Sequence, residues 1–160
     1  MDKSVDKSVE KPVRLPLFVR AGNAVMKTLT SAGVPLGRIT VLTVRGRKSG
    51  QPRTTPVAVI EQDGNRYLIA AYGIVDWVRN LRAAGAGTLT HGRRTEEITA
   101  IEVSPAEAAP ILKRGLATGP AFLRQYFDTT PTSSLDEYAR EAVRHPVFQI
   151  VATSGADRGK

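Results

Sequence analysis

Between residues 16 and 33 the apolar side chains Phe18, Val25 and Leu29 lie opposite Arg20, Asn23 and Lys27, a spacing that predicts an amphipathic helix ending near Gly33 and Pro35. Its plain role is packing against the domain; a face turned to a membrane or a substrate is the alternative. The pattern then changes period. Residues 39–45 are rich in β-branched side chains and predict a strand, followed by a turn over 46–52 and a second strand over about 53–62. Asp63-Gly64-Asn65 has the chemistry of a tight turn and closes a hairpin onto residues 66–71. Residues 76–84 return to a helical pattern that Gly85 stops. A further hairpin joins 87–91 to 94–103 around Gly92-Arg93. Ser104-Pro105-Ala106-Glu107 has the form of a capping box with proline at the first helical position, and Ser134 with Glu137 repeats the device. The chain closes with His145-Pro146 and an apolar strand over 147–152.

About six strands, mostly joined by tight hairpins, with helices at the two ends and one inserted between strands, predict an α+β fold. In it a mainly antiparallel sheet closes into a small barrel. Residues 1–14 repeat a short charged phrase, Asp-Lys-Ser-Val twice and then Val-Glu-Lys-Pro-Val, with little to bury. They are expected to form a disordered tail, with a second tail over 155–160 and a single domain over 15–154.

Composition narrows the class. A chain of 160 residues suits one domain, and domains of that size bury roughly 70% of the surface their unfolded chains expose. No apolar run approaches the roughly 20 residues of a membrane span. The chain has no cysteine, which excludes a disulfide framework, thiolate metal sites and cysteine nucleophiles. Asp2, Asp6 and Glu10 precede an apolar run that Arg20 interrupts, unlike a signal peptide, so a cytoplasmic location is expected, at most peripheral to a membrane through the first helix.

The net charge of +8 gains meaning from its placement. Residues 11–60 hold nine basic side chains (Lys11, Arg14, Arg20, Lys27, Arg38, Arg45, Arg47, Lys48, Arg53) and no Asp or Glu, whereas residues 61–160 hold twelve of each sign. An anionic partner is expected there. Nucleic acid, anionic lipid and a polyanionic cofactor all meet that description. Phe18 is the only aromatic side chain in this stretch, which disfavours single-stranded nucleic acid, and no nucleic-acid partner is expected.

Within that stretch lies Gly46-Arg47-Lys48-Ser49-Gly50-Gln51-Pro52-Arg53. Two glycines permit a tightly turned backbone whose N–H groups can face an anion, and Arg47, Lys48 and Arg53 add charge and donors. A solvated basic turn would have the same composition. The segment is not a nucleotide P-loop, because Arg47 stands where a glycine should precede Lys48-Ser49 and no helix pattern follows. Gly85-Ala86-Gly87 leads into a strand, with Thr90 where a dinucleotide fingerprint needs glycine. Trp77 and Asn80, three apart on a helix, share a face: one can cover an aromatic ring while the other hydrogen-bonds its edge, or both can be structural. His91 and His145 read as structural, and no metal site or nucleophile can be assembled. A cofactor that performs the hard chemistry would account for that absence.

Taken together, residues 44–56, Ala70-Ala71-Tyr72-Gly73 and Trp77-Val78-Arg79-Asn80-Leu81 resemble the deazaflavin-dependent nitroreductase family, and His145-Pro146-Val147-Phe148 is similar to that family's end. The resemblance implies a split β-barrel of the FMN-binding type that uses coenzyme F-420, an 8-hydroxy-5-deazaflavin, to pass a hydride to a quinone, nitro or other conjugated small molecule. It further implies that Arg47, Lys48, Ser49 and Arg53 hold the phosphate and the start of the anionic tail. Thr54, Thr55, Pro56, Val57 and Ala58, with Ala70, Ala71, Tyr72 and Gly73, would line the ring and ribityl chain. Asp76, Trp77, Val78, Arg79 and Asn80 would close the site. Tyr72, then Tyr126, are the hydroxyls to consider as proton donors. Two readings stand beside this one: an FMN enzyme on the same barrel, and a basic nucleic-acid- or lipid-binding module without redox chemistry. A homodimer is also entertained. The longer Gly-rich, Lys-containing loop of the nitroreductases is replaced here by Tyr72-Gly73-Ile74-Val75.

Overall fold

A computed structural model describes residues 40–92 and 94–153. The segments read as tails over 1–14 and 155–160 lie outside the described residues, as does the amphipathic helix over 16–33 with its membrane-facing alternative.

Seven strands form one sheet: β1 (Thr40–Arg45), β2 (Pro52–Val57), β3 (Val59–Gln62), β4 (Asn65–Ile69), β5 (Ala86–His91), β6 (Arg94–Glu102) and β7 (Val147–Ala152), in the order β2-β1-β5-β6-β7-β4-β3. Every pairing is antiparallel. About six were expected, and the seventh comes from the run over 53–62. The run over 53–62 is two strands that break at Ala58, because its first half pairs with β1 and its second half with β4 at the far side of the sheet. Alternation cannot reveal such a break, since the residues on either side of it remain extended. Pro52 and Pro56 lie four apart in β2 and so point their missing N–H in the same in-plane direction, which suits a strand with one unpaired edge.

Because the two edge strands are separated by Ala58 alone, the sheet has to curl. Its inner face carries Leu42 and Val44 from β1, Leu68 from β4, Leu89, Ile98 and Ala100 from β5 and β6, and Phe148 and Ile150 from β7. Helix α1 (Asp76–Ala84) completes this core with Val78 and Leu81, and Gly85 ends it in the left-handed conformation, φ 69°. The helix thus stoppers the barrel where β4 leaves it. Burying a Leu or Phe contributes about 1.5–3 kcal/mol, against about 0–1 kcal/mol for exposed ion pairs such as Arg82–Glu102, so the core and not the surface charge decides the fold.

Of the helices expected to flank the sheet, the described ones lie before the closing strand. Helix α2 (Pro105–Thr118), a short 3-10 helix (Ala121–Tyr126) and helix α3 (Leu135–Ala142) are all inserted between β6 and β7, and the last described element is a strand. Both caps form as read: Ser104 accepts the Glu107 N–H, and Ser134 with Glu137 makes the full reciprocal box. These helices pack a second core, including Leu112 and Tyr138, on the outer face of the sheet at Ile69 and Val147. Among the described residues no helix is long and apolar enough to cross a membrane.

Strand direction then sorts the connections. β1 ends where β5 begins, β6 ends where β7 begins, and β4 ends beside the start of β7. Residues 46–51, residues 70–75 with α1, and the helical insert therefore emerge at one end of the barrel.

Gly87 sits where β5 approaches β1 so closely that a Cβ would lie 2.6 Å from the Thr43 carbonyl oxygen. Gly87→Ala has to part these two strands and is expected to destabilise the protein by about 1–3 kcal/mol, read as a lower urea midpoint with little change in slope.

Candidate functional site

The turn after β1 is closed twice: Gly46 N–H donates to the Gln51 carbonyl at 2.8 Å and Gly50 N–H donates to the Gly46 carbonyl at 2.9 Å. Gly50 takes φ 70°, which disfavours any side chain there, and Ser49 Oγ accepts the Gln51 N–H at 3.2 Å. The loop is clipped to α1 from outside. Asn80, 5% exposed, accepts the Arg47 backbone N–H at 3.1 Å and its Nη1 at 2.8 Å, and Arg47 Nη2 reaches Asp76 at 3.4 Å.

What remains in the loop points to an anion. Among the described residues the N–H groups of Lys48 and Ser49 meet no acceptor, and neither Lys48 nor Arg53 has a carboxylate partner. Helix α1 begins beside them at Val75 without a side-chain cap, its first turn carrying the acidic Asp76. A cleft of about 410 Å³ opens here, lined by Val44, Gly46, Arg47, Lys48, Ser49, Arg53, Thr54, Thr55, Asp76, Trp77 and Asn80. Arg53 pairs with Val44, and Thr55 with Leu42, so both share the face of core residues and reach the cleft from the barrel side. Trp77 forms the apolar wall, its ring 6.1 Å from that of Phe148.

Nine of the expected residues thus come together: Arg47, Lys48, Ser49, Arg53, Thr54, Thr55, Asp76, Trp77 and Asn80. Val44 and Gly46, part of the motif though not given a contact role, join them. Pro56, Val57, Ala58, Ala70, Ala71, Tyr72, Gly73, Val78 and Arg79 lie outside the cleft lining. Of these, Val78 and Ala70 are 0% and 1% exposed and spend their side chains on the barrel core. Of the two roles left open for Asn80, its side-chain oxygen is engaged structurally, by Arg47. Arg45 was not singled out, yet its Nη2 lies 3.5 Å from where a side chain on Gly50 would begin, adding a cation to the loop's outer side.

Tyr72 and Tyr126 stand 54 residues apart in sequence and meet edge to face, ring centroids 4.9 Å apart at 75°. Burial, then the neighbouring Tyr126, raises the Tyr72 hydroxyl above its ordinary value. They sit at the same barrel end as the loop. Nearby, His145 is buried with Nδ1 2.9 Å from the Ala70 carbonyl oxygen, and its burial lowers its pKa despite the adjacent Glu141. Among the described residues no cluster of three or more His, Cys, Asp or Glu is arranged to hold a metal.

Residues 18–132 match the family model described as F420H(2)-dependent quinone reductase. No curated protein matches the chain in sequence. Among solved structures it is similar to an F420-H2 dependent reductase, FDR-A, with TM-score 0.51 and 22% identity over 71% of this chain and 94% of that one. A structure described as a domain-swapped dimer gives TM-score 0.52 and 19% identity over 80% and 95%. A Listeria innocua protein named for pyridoxamine 5'-phosphate oxidase gives TM-score 0.50 and 10% identity over 82% and 93%. At these identities the structures establish a shared split-barrel fold.

Removing the clip should loosen the loop: Asn80→Ala is expected to speed amide hydrogen exchange across residues 46–51 while residues 94–102 stay protected. The His145 shift gives a pH dependence of definite sign. Its unfolded ring takes a proton near the ordinary 6.5 and the folded ring resists doing so, so stability is fully present above pH 6.5 and falls as pH drops below it. Glu96, paired with Arg66, and Glu137, bonded to Ser134, are held below their ordinary 4.5 and add to the loss only at more acid pH. Urea midpoints measured in steps below pH 6.5 should therefore slope in the wild type and flatten in His145→Asn.

Proposed function

Since the chain belongs to the F420H(2)-dependent quinone reductase family and is thereby an F-420-dependent oxidoreductase, we propose that the cleft beside residues 46–53 is where it holds the coenzyme. The observation that carries this is the unspent donor set of the loop. Lys48 and Ser49, whose backbone N–H groups meet no acceptor among the described residues, line one cleft together with Arg53, and Asp76 is the single carboxylate residue in its described lining. A phosphate and the carboxylates that follow it match that set in charge and in geometry.

Arg47 has a different part in this reading. With its backbone N–H and Nη1 on Asn80 it fixes the loop to α1, and Lys48 and Arg53 are left to meet the ligand. Trp77 and the inward Thr55 form the wall and floor on which a flat ring can rest. Bound in its reduced form, the coenzyme supplies a hydride. Tyr72 and Tyr126, at the same barrel end, then mark the acceptor side. There the Tyr72 hydroxyl gives its proton to the acceptor oxygen that gains charge, and water restores it. Positioning is the protein's main contribution, with charged groups in the cleft to bind and phenols beside it to donate a proton.

Lys48→Ala and Arg53→Ala should each weaken F-420 binding by roughly tenfold to a hundredfold, the loss of one or two charge-assisted hydrogen bonds of about 1.5–3 kcal/mol, with the thermal midpoint barely moved. Titration of the purified protein with F-420 and with FMN, followed by the quenching of Trp77 fluorescence, measures this. Tight binding of FMN with none of F-420, or unchanged affinity in both variants, would remove the coenzyme from this cleft.

A further inference from the structure

His145 lies outside the cleft lining and has no part in the chemistry above, yet both segments that carry the paired tyrosines are fastened to it. Its Nδ1 is 2.9 Å from the Ala70 carbonyl oxygen, and the same oxygen accepts the Gly73 N–H at 3.0 Å. The next residue, Pro146, accepts the Ala70 N–H, also at 3.0 Å. The dipeptide His145-Pro146 therefore grips both polar groups of Ala70. The carbonyl it grips is the one that closes the four-residue turn on which Tyr72 stands.

The other side of the imidazole fixes the second tyrosine. Phe127 stacks on the ring at 3.9 Å between centroids and 23° between planes, and the ring also meets the backbone of Tyr126. Behind it is Glu141, 2% exposed, with Oε1 3.4 Å from Nε2 and Oε2 accepting the Asp128 N–H at 3.2 Å. Arg144 bridges Glu141 at 3.0 Å and Asp128 at 2.6 Å. Residues 70–73 and 126–128, far apart in the chain, are thus referred to one buried ring.

An apolar side chain could fill this volume without the cost of desolvating an imidazole, so packing alone does not account for a histidine here. A flat ring that stacks on Phe127 while donating in its own plane to a carbonyl on another segment does what no aliphatic or phenyl group can. We propose that His145 is a positioning residue for acceptor reduction: by tying the Ala70–Gly73 turn to Tyr126-Phe127 it sets the distance and angle between Tyr72 and Tyr126, and with them the hydroxyl placement at the acceptor end. The proposal rests on the reading that these tyrosines face the acceptor.

The chain holds four tyrosines, so fluorotyrosine incorporation gives four fluorine resonances, and Tyr67→Phe, Tyr72→Phe and Tyr126→Phe assign three of them and leave Tyr138 as the fourth. His145→Phe keeps a ring against Phe127 and removes the donor; His145→Asn restores a donor at the Nδ1 position. In His145→Phe without cofactor the Tyr72 and Tyr126 resonances should move while that of Tyr67 stays, and His145→Asn should return them toward their wild-type positions. With reduced F-420, His145→Phe should raise the acceptor KM or lower kcat by about tenfold to a hundredfold while the F-420 Kd is unchanged, the size expected of a misplacement on the order of 1 Å. Unmoved Tyr72 and Tyr126 resonances overturn the proposal, and so does equal movement of all four, which signals general loosening. Should His145→Phe fail to fold, His145→Gln, with its amide at the Nε2 position, is expected to displace the same two resonances, and their staying put is equally fatal. Tyr72→Phe separates the two ideas: unchanged acceptor turnover in that variant removes Tyr72 from the acceptor side, whatever the resonances show about its placement.

Discussion

The edge strands of the sheet, β2 and β3, are consecutive in the chain with only Ala58 between them. In a flat sheet of seven strands they would stand about 29 Å apart at roughly 4.8 Å per step, whereas two residues of chain span only about 7 Å. Covalent continuity therefore forces the sheet round on itself. The inner face has to be small enough for Leu, Val, Ile and Phe side chains to fill it, as Leu42, Leu68, Ile98 and Phe148 do. The barrel is closed by the backbone itself, with hydrogen bonds following.

From that closure comes the crowded end where the cleft lies. Alternating strand directions bring three loops to the same rim, and none can move far because each is fixed to another. Arg47 illustrates how the fixing is weighted. Its bonds to the buried Asn80 are charge-assisted and worth about 1.5–3 kcal/mol, while its pairing with Asp76, whose side chain is 82% exposed, is worth about 0–1 kcal/mol. The loop is therefore set by an amide on the second turn of α1, and Asp76 tunes the local charge without deciding the geometry. Lys48 and Arg53, spared from that work, remain available to a ligand.

Much of this was legible in the residues. β1, the two hairpins, both N-caps and the Gly85 stop follow from local rules that act over four to eight residues. The basic loop was legible too, because glycine spacing and an acid-free stretch are visible without knowing the fold. What escaped is what depends on closure. Nothing local distinguishes Ala58 from the extended residues around it, and nothing local shows that Val78 faces the core while Trp77 faces the cleft, since both are apolar neighbours on one helix. Asn80 is the clearest case: a polar side chain on a helix reads as a ligand contact or a surface group, and only the folded chain brings Arg47, 33 positions earlier, against its oxygen. Contacts between Tyr72 and Tyr126, or among His145, Ala70 and Phe127, belong to the same class.

The two ends of the proposed site differ in a way that fits transfer of a hydride to a neutral acceptor. At residues 47–53 the chain gathers fixed positive charge and free N–H groups, which stabilise an anion that is already present before and after reaction. At Tyr72 and Tyr126 it offers phenols in a half-buried setting, and burial moves the Tyr72 hydroxyl further from ionisation. A group shifted that way stays in its O–H form at neutral pH, so it can donate a proton but cannot serve as a resting base. Had a lysine or an ionised carboxylate stood there, its charge would act on the acceptor before any hydride arrived. A neutral donor responds only as negative charge develops on the acceptor, which is when stabilisation accelerates the reaction. In the proposed site permanent charge is thus sorted to one end and conditional charge to the other, and the burial around Tyr72 helps keep its hydroxyl protonated.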